Sequence, residues 1–398
     1  MTSDAAGEAG PGRRALPTAL AWAVVVAWTG WWAVRQADPS GISWHFFRTG
    51  ADALFHGSGL SLYADNPTLQ IGPLAFVVAG AVGAIDPNHD IGLAQIVMTL
   101  LAAVVLWAVT ASLPRRDRAW AVLAGGLVLA PAWTTLSVRW MHLDDALALT
   151  FIALVVWAVS PVARRGGAGH PVVAAVAMAL APAAKPWAVI AYPLLLLLPH
   201  RVRWPTILYA VAGTAAAWLP FLMADTGTLA ALRPEVRVDQ TSGLWWLGYH
   251  GTYLPPWDRL AQLLGAPLVA LVAVWRRCWP GALLAGVAVR LVLDPQNLGY
   301  YAAGAVLAAL VLDLHGRRWR IPWFALVTAI VFWQPFVSDF ARRFDLATGL
   351  GLWWFRHPGT VAGIHVVWAA LALVAAFWPI PSSTRAPSTS RSRARLPA

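Results

Sequence analysis

The chain has 398 residues, of which 59% are hydrophobic and only 12% charged, and its mean hydropathy is +0.61; this excludes a soluble globular fold, which such a composition has too little polar surface to cover. A net charge of +11 would suggest nucleic acid in a soluble protein, but here the arginines stand in short segments between apolar runs. Anionic lipid headgroups are then the nearest partners, and no nucleic-acid role is expected.

In chain order, residues 1–15, with Arg13-Arg14, read as a disordered cytoplasmic tail. The run from Leu16 to Val34 reaches the roughly 20 residues a bilayer requires. It lacks a small-residue cleavage pattern, so it reads as a retained span rather than a secretory signal. A loop, 35–71, follows, then a short apolar run, 72–85, read as re-entrant because the next full span ends at the basic cluster Arg115-Arg116. Hydropathy places further spans at 91–113, 119–136 and 144–162. Residues 171–199 carry the break Ala184-Lys185-Pro186 and are expected to form two short crossings that meet near the outer side. Beyond them come spans at 204–224, 258–275, 281–293, 300–314, 321–337 and 358–379, with larger loops at 225–257 and 338–357. Residues 381–398 form a second disordered, basic tail. The expected fold is an all-α integral membrane protein: one domain, 16–380, a polytopic bundle of about 12 transmembrane helices, some short or re-entrant.

Charge sets the orientation. Arg13-Arg14, Arg115-Arg116-Asp117-Arg118, Arg164-Arg165, Arg201-Val202-Arg203, Arg276-Arg277 and Arg317-Arg318 alternate with loops that hold fourteen of the 18 acidic residues. By the positive-inside rule the basic clusters and both termini lie in the cytoplasm, and the acidic loops face outward from the plasma membrane. The lone cysteine, Cys278, falls in a predicted cytoplasmic turn and excludes an intrachain disulfide.

Four constellations carry possible chemistry. Arg139-Trp140-Met141-His142-Leu143-Asp144-Asp145 sets two adjacent carboxylates beside a histidine and an arginine, too costly in lipid to lack water, partners or a ligand. Asp144 and Asp145 serve either as helix caps or as a general base or cation-holding pair; no metal or other cofactor is assigned. If residues 45–56 are helical, His45, Arg48, Asp52 and His56 share one face, either toward a wet cavity or toward solvent. Lys185, between two apolar half-spans, suits an anionic phosphate unless it snorkels to the interface. Arg290 and Asp294 stand at i and i+4, placed to pair with each other or to meet a ligand beside Tyr300-Tyr301. The loops also hold Trp245, Trp246 and Tyr249, which form either an interfacial belt or an aromatic groove for sugar rings or an isoprenoid chain. No Walker loop, Rossmann fingerprint, zinc spacing or nucleophile elbow is present.

The first loop with Leu62-Tyr63 and Gly72-Pro73, the Lys185-Pro186-Trp187 element ahead of Pro193 to Leu198, and His142-Leu143-Asp144-Asp145 together resemble a known family. They are similar to the polyprenol-phosphate-mannose-dependent mannosyltransferases of actinobacteria, multi-span enzymes of the GT-C class in the glycosyltransferase 87 group, over most of residues 16–380. The resemblance implies a glycosyltransferase that moves a sugar, mannose in this family, from a polyprenyl-phosphate donor to a lipid or glycan acceptor at the outer face. It also implies a catalytic aspartate early in the first outward loop. Counted from Phe46-Phe47, that position is Ser43 here. Asp52, His45 or one of Asp144 and Asp145 is then the substitute base, or the chain is a non-catalytic relative. In the active case Lys185, with Arg48 or Arg139, holds the donor phosphate, and Trp245, Trp246 and Tyr249 hold the acceptor. The competing class is a transporter or flippase for a lipid-linked sugar.

Overall fold

A computed structural model describes residues 17–37, 40–160, 170–232, 235–317, 320–333, 353 and 356–378; the tails, most of the 338–357 loop and the Arg164-Arg165 cluster lie outside the described residues. The described chain is helical. Its elements are α1 (Thr18–Gln36), α2 (Trp44–His56), α3 (Pro73–Ile85), α4 (Asp90–Ala111), α5 (Arg115–Thr134), α6 (Leu143–Val159), α7 (Pro171–Ala184), a 3-10 helix (Pro186–Leu197), α8 (His200–Ala224), α9 (Asp258–Trp275), α10 (Ala282–Leu293), α11 (Ala302–Val311), α12 (Trp323–Trp333) and α13 (Pro358–Phe377). The only extended pairing among the described residues is an isolated antiparallel bridge, Arg237 to Tyr253.

Each hydropathy span coincides with a helix, but not all are of spanning length. Six helical stretches are long and apolar enough to cross a membrane: Asp90–Ala111, Arg115–Arg139, His200–Ala224, Asp258–Trp275, Gly299–Arg317 and Pro358–Phe377. Shorter apolar helices, α3, α7, the 3-10 helix, Trp279–Leu293 and Trp323–Phe332, pack between them. The chain is thus a membrane protein built as a helical bundle, with six helices of spanning length among the described residues and several shorter apolar ones, so the expected count of about twelve is not shown.

Burial sorts these helices into centre and periphery. Fourteen of the residues of α6 are buried, on every face, as expected of a helix that is apolar all round and surrounded by protein. On α8 only Thr206, Ala210 and Phe221 are buried, while Leu208, Tyr209, Val211, Leu219 and Met223 stay exposed, an apolar surface suited to lipid. The N-terminal residues of α6, Asp144 and Asp145, consequently start inside the protein and not at its rim.

Several of the basic residues cap helix ends. Arg118 donates to Leu113 O and Ala111 O, Arg203 to Leu198 O and Arg317 to Ala375 O. Each guanidinium meets carbonyls left unpaired at the C-terminal end of a helix, where the helix dipole also favours a cation.

One break shapes the acidic pole. Pro186 has no N–H and drives the preceding residue out of the helical region, so Lys185 is extended at φ −149 and ψ 119. Residues 171–197 become two half-length helices meeting at Lys185, as the sequence predicts. Residues 72–85 differ from expectation. They form one uninterrupted helix, α3, because nothing inside Pro73–Ile85 breaks the hydrogen-bond ladder. This helix packs against α2 so closely that a Cβ on Gly50 would lie 2.2 Å from the Phe76 ring and one on Gly80 2.8 Å from Phe55.

Gly72 ties this pair to the Lys185 break. Its N–H donates to Ala184 O at 3.0 Å, and a Cβ there would stand 2.2 Å from Ala183 O and 2.4 Å from Ala184 O. Gly72→Ala is therefore expected to cost about 1 to 3 kcal/mol through overpacking, read as a lower unfolding temperature of detergent-solubilised protein. An unchanged temperature would show that this contact does not hold the break in place.

Candidate functional site

The site begins where α5 ends. Pro131 lies inside α5, and the helix widens into a π turn over Thr135–Arg139. The chain then passes through Met141 at φ 53, a left-handed conformation that a fully buried non-glycine side chain rarely adopts and that costs on the order of 1 to 3 kcal/mol. This turn aims His142 across the start of α6. In the first turn of α6 the Asp144 carboxylate accepts from Asp145 N at 2.8 Å, at a helix end that favours negative charge.

Burial then makes cationic partners obligatory. Asp144 is completely buried and Asp145 is 4% exposed. The Lys185 ammonium pairs with Asp144 Oδ2 and stands 3.5 Å from Asp145 Oδ2, while the Trp187 indole donates to Asp145 Oδ1 at 2.8 Å. His142 Nδ1 lies 3.5 Å from Asp144 Oδ1 and 3.7 Å from Asp145 Oδ2. On the other edge of that ring, Nε2 is 3.1 Å from Ser43 Oγ. The imidazole is stacked on Tyr300 at 3.6 Å, with the Phe47 ring edge-on at 6.5 Å.

A second charged group lies alongside. Arg290 sits over the rings of Trp187 and Tyr301, 4.8 and 4.6 Å from their centroids, and pairs with Asp294 at 3.3 Å. The i, i+4 pairing read from the sequence is present, but on the protein side of α10 rather than at a wet surface: Arg290 is 7% exposed and Asp294 1%. Gln262 on α9 donates to Asp258 Oδ2 at 2.6 Å and accepts from Arg259 at 3.3 Å.

Arg259, Gln262, Arg290 and Asp294, with Lys185 and Trp187, border a cavity of about 620 Å³; Ser43, His142, Asp144 and Asp145 do not line it, and the cluster adjoins it through Lys185, Trp187 and Tyr300. Lys185, Arg259 and Arg290 line it against a single carboxylate, Asp294, and its remaining wall includes Ile190, Leu222, Leu260 and Leu263 beside Trp187, Tyr300 and Tyr301. Three cations, an apolar wall and aromatic faces suit an anionic headgroup that carries both a hydrocarbon chain and a polar ring.

Not every candidate residue comes to this place. Arg48 pairs with Asp90, which also accepts from the Trp44 indole at 2.9 Å, and Arg48 does not line the cavity. Asp52 is exposed and faces His56 at 3.9 Å, and His45, also exposed, packs on Phe46; α2 therefore turns this stripe outward, the surface-helix alternative. Arg139 is half-buried at the end of the π turn. Trp245 packs on Gly359 and His250, and Trp246 on Gly363 of α13, while Tyr249 donates to Tyr253 O at 2.8 Å; none of the three lines the cavity. Arg259 and Gln262 do line it and were not singled out from the sequence. Their signal was a polar run, Asp258, Arg259 and Gln262, on the first turns of an otherwise apolar helix.

His142, Asp144 and Asp145 bring donor atoms within 4.8 Å of one another, but a cation there would have to displace the Lys185 ammonium from both carboxylates. No protein-family model, curated protein or solved structure matches this chain.

Replacing Lys185 by Met leaves the carboxylates without their ammonium and is expected to destabilise the protein by about 3 to 5 kcal/mol. Asp144→Asn in the same chain should recover part of that loss. Thermal unfolding of the two variants measures both effects, and a Lys185→Met protein as stable as the parent would rule out a buried, interdependent pair.

Proposed function

We propose that this chain is a membrane glycosyltransferase that takes a sugar, mannose by the family resemblance, from a polyprenyl-phosphate donor. The observation that supports this reading best is the cavity in which Lys185 belongs at once to the cationic lining and to the His142, Asp144 and Asp145 cluster. The donor phosphate lies among Lys185, Arg290 and Arg259, and its hydrocarbon chain lies along Leu222, Leu260 and Leu263. An acceptor hydroxyl, on a lipid or a glycan, loses its proton to the cluster and attacks the anomeric carbon. The bond to phosphate breaks, its electrons stay on phosphate, and the cations stabilise that charge in a poorly hydrated site.

In this reading the acidic pole faces outward from the plasma membrane, both termini are cytoplasmic, and the partial helices complete about twelve crossings. The charged groups cluster at helix ends rather than halfway along the spans, which favours transfer chemistry over carriage of the lipid across the bilayer.

The test is transfer from labelled polyprenyl-phosphate mannose, in membranes from cells that express the chain, to total lipid and glycan acceptors. Wild type is expected to transfer label, Arg290→Gln to lose at least tenfold in rate, and Asp144→Asn with Asp145→Asn to lose activity altogether. Folded wild-type protein that transfers nothing to any acceptor would end this reading.

A further inference from the structure

Ser43 and His142 are 99 positions apart in sequence, yet Ser43 Oγ lies 3.1 Å from His142 Nε2. The contact is built rather than incidental. Ser43 N donates to Trp140 O at 3.1 Å, so the start of α2 is fastened to the strained turn that aims His142. The ring itself is fixed by Tyr300 on its face and Phe47 at its edge. Its far nitrogen, Nδ1, is buried with no hydrogen-bond partner, as is Asp145 Oδ2, although the two stand 3.7 Å apart. A proton on Nδ1 faces the two carboxylates, and this leaves the Nε2 lone pair for the serine hydroxyl. The charged or titratable groups around the ring are Asp144, Asp145, Tyr300 and, across the carboxylates, Lys185.

We infer that Ser43, His142 and Asp144 form a proton relay, with Ser43 Oγ the group that meets the acceptor hydroxyl. This rests on the transferase reading and names its base. As the acceptor oxygen bonds to the anomeric carbon and the carbon–phosphate oxygen bond breaks, the acceptor proton passes to Ser43 Oγ. The serine's own proton moves to His142 Nε2, and the imidazolium is held by Asp144 and Asp145. The proton returns to the departing phosphate or to water. A serine has no basicity of its own at neutral pH, but one bonded to an oriented imidazole does not need it.

The relay is testable without any sugar. In a Cys278→Ala background, Ser43→Cys puts the chain's only thiol beside His142, and an imidazole at that distance stabilises the thiolate. Iodoacetamide at neutral pH is expected to alkylate this thiol at least tenfold faster with His142 present than with His142→Gln. Equal rates, or no alkylation in either protein, would overturn the relay. Transfer kinetics give the second arm: with Ser43→Asp a carboxylate takes the proton directly, so adding His142→Gln should change the rate less than threefold, against a loss of at least a hundredfold when His142→Gln stands alone. Persistent dependence on His142 in the Ser43→Asp protein would mean that the histidine only holds the fold. Fast alkylation in a protein that transfers no sugar would leave the relay standing and remove the transferase reading.

Discussion

Two carboxylates at the start of a helix buried on all sides constrain most of this structure. Removing one ion from water costs several kcal/mol even after relaxation, and the debt is met only by a close partner with good geometry. Asp144 and Asp145 therefore need a cation delivered to the middle of the bundle. Lys185 arrives there because Pro186 splits residues 171–197 into two half-length helices, and the break is held open by Gly72, whose missing side chain lets α3 begin against the Ala184 carbonyl. The π turn and the left-handed Met141 then bring His142 to the same carboxylates.

Trp187 and Tyr301 link this cluster to the neighbouring cavity. Both rings hold Arg290, and Trp187 also donates to Asp145, so cationic cavity wall and acidic cluster form one packed unit. Charges in such a setting interact more strongly than in water because little solvent screens them. In the proposed reading, an anion entering the cavity would compete with Asp144 for Lys185, and this shared lysine would couple occupancy of the cavity to the carboxylates.

Much of the fold was legible in advance. All ten hydropathy spans became helices, because twenty apolar residues in lipid have few alternatives to an internally bonded backbone. The break at Lys185 followed from proline chemistry, and the need of Asp144 and Asp145 for partners from the cost of charge in an apolar run. The α2 stripe illustrates the limit. Periodicity put His45, Arg48, Asp52 and His56 on one face, but which face was buried depended on Phe76 and Gly80 of α3 filling the other side. Arg48 likewise found Asp90, 42 positions away.

The sequence by itself determined the class of protein, the helices and the short list of charged residues that needed partners, since each follows from local composition and the intolerance of a bilayer for unpaired polar groups. Tertiary structure alone decided which partners they took: Lys185 with Asp144, Arg290 between two aromatic rings, Ser43 with His142. Those choices join residues tens to a hundred positions apart, and they are set by how whole helices pack rather than by any spacing along the chain.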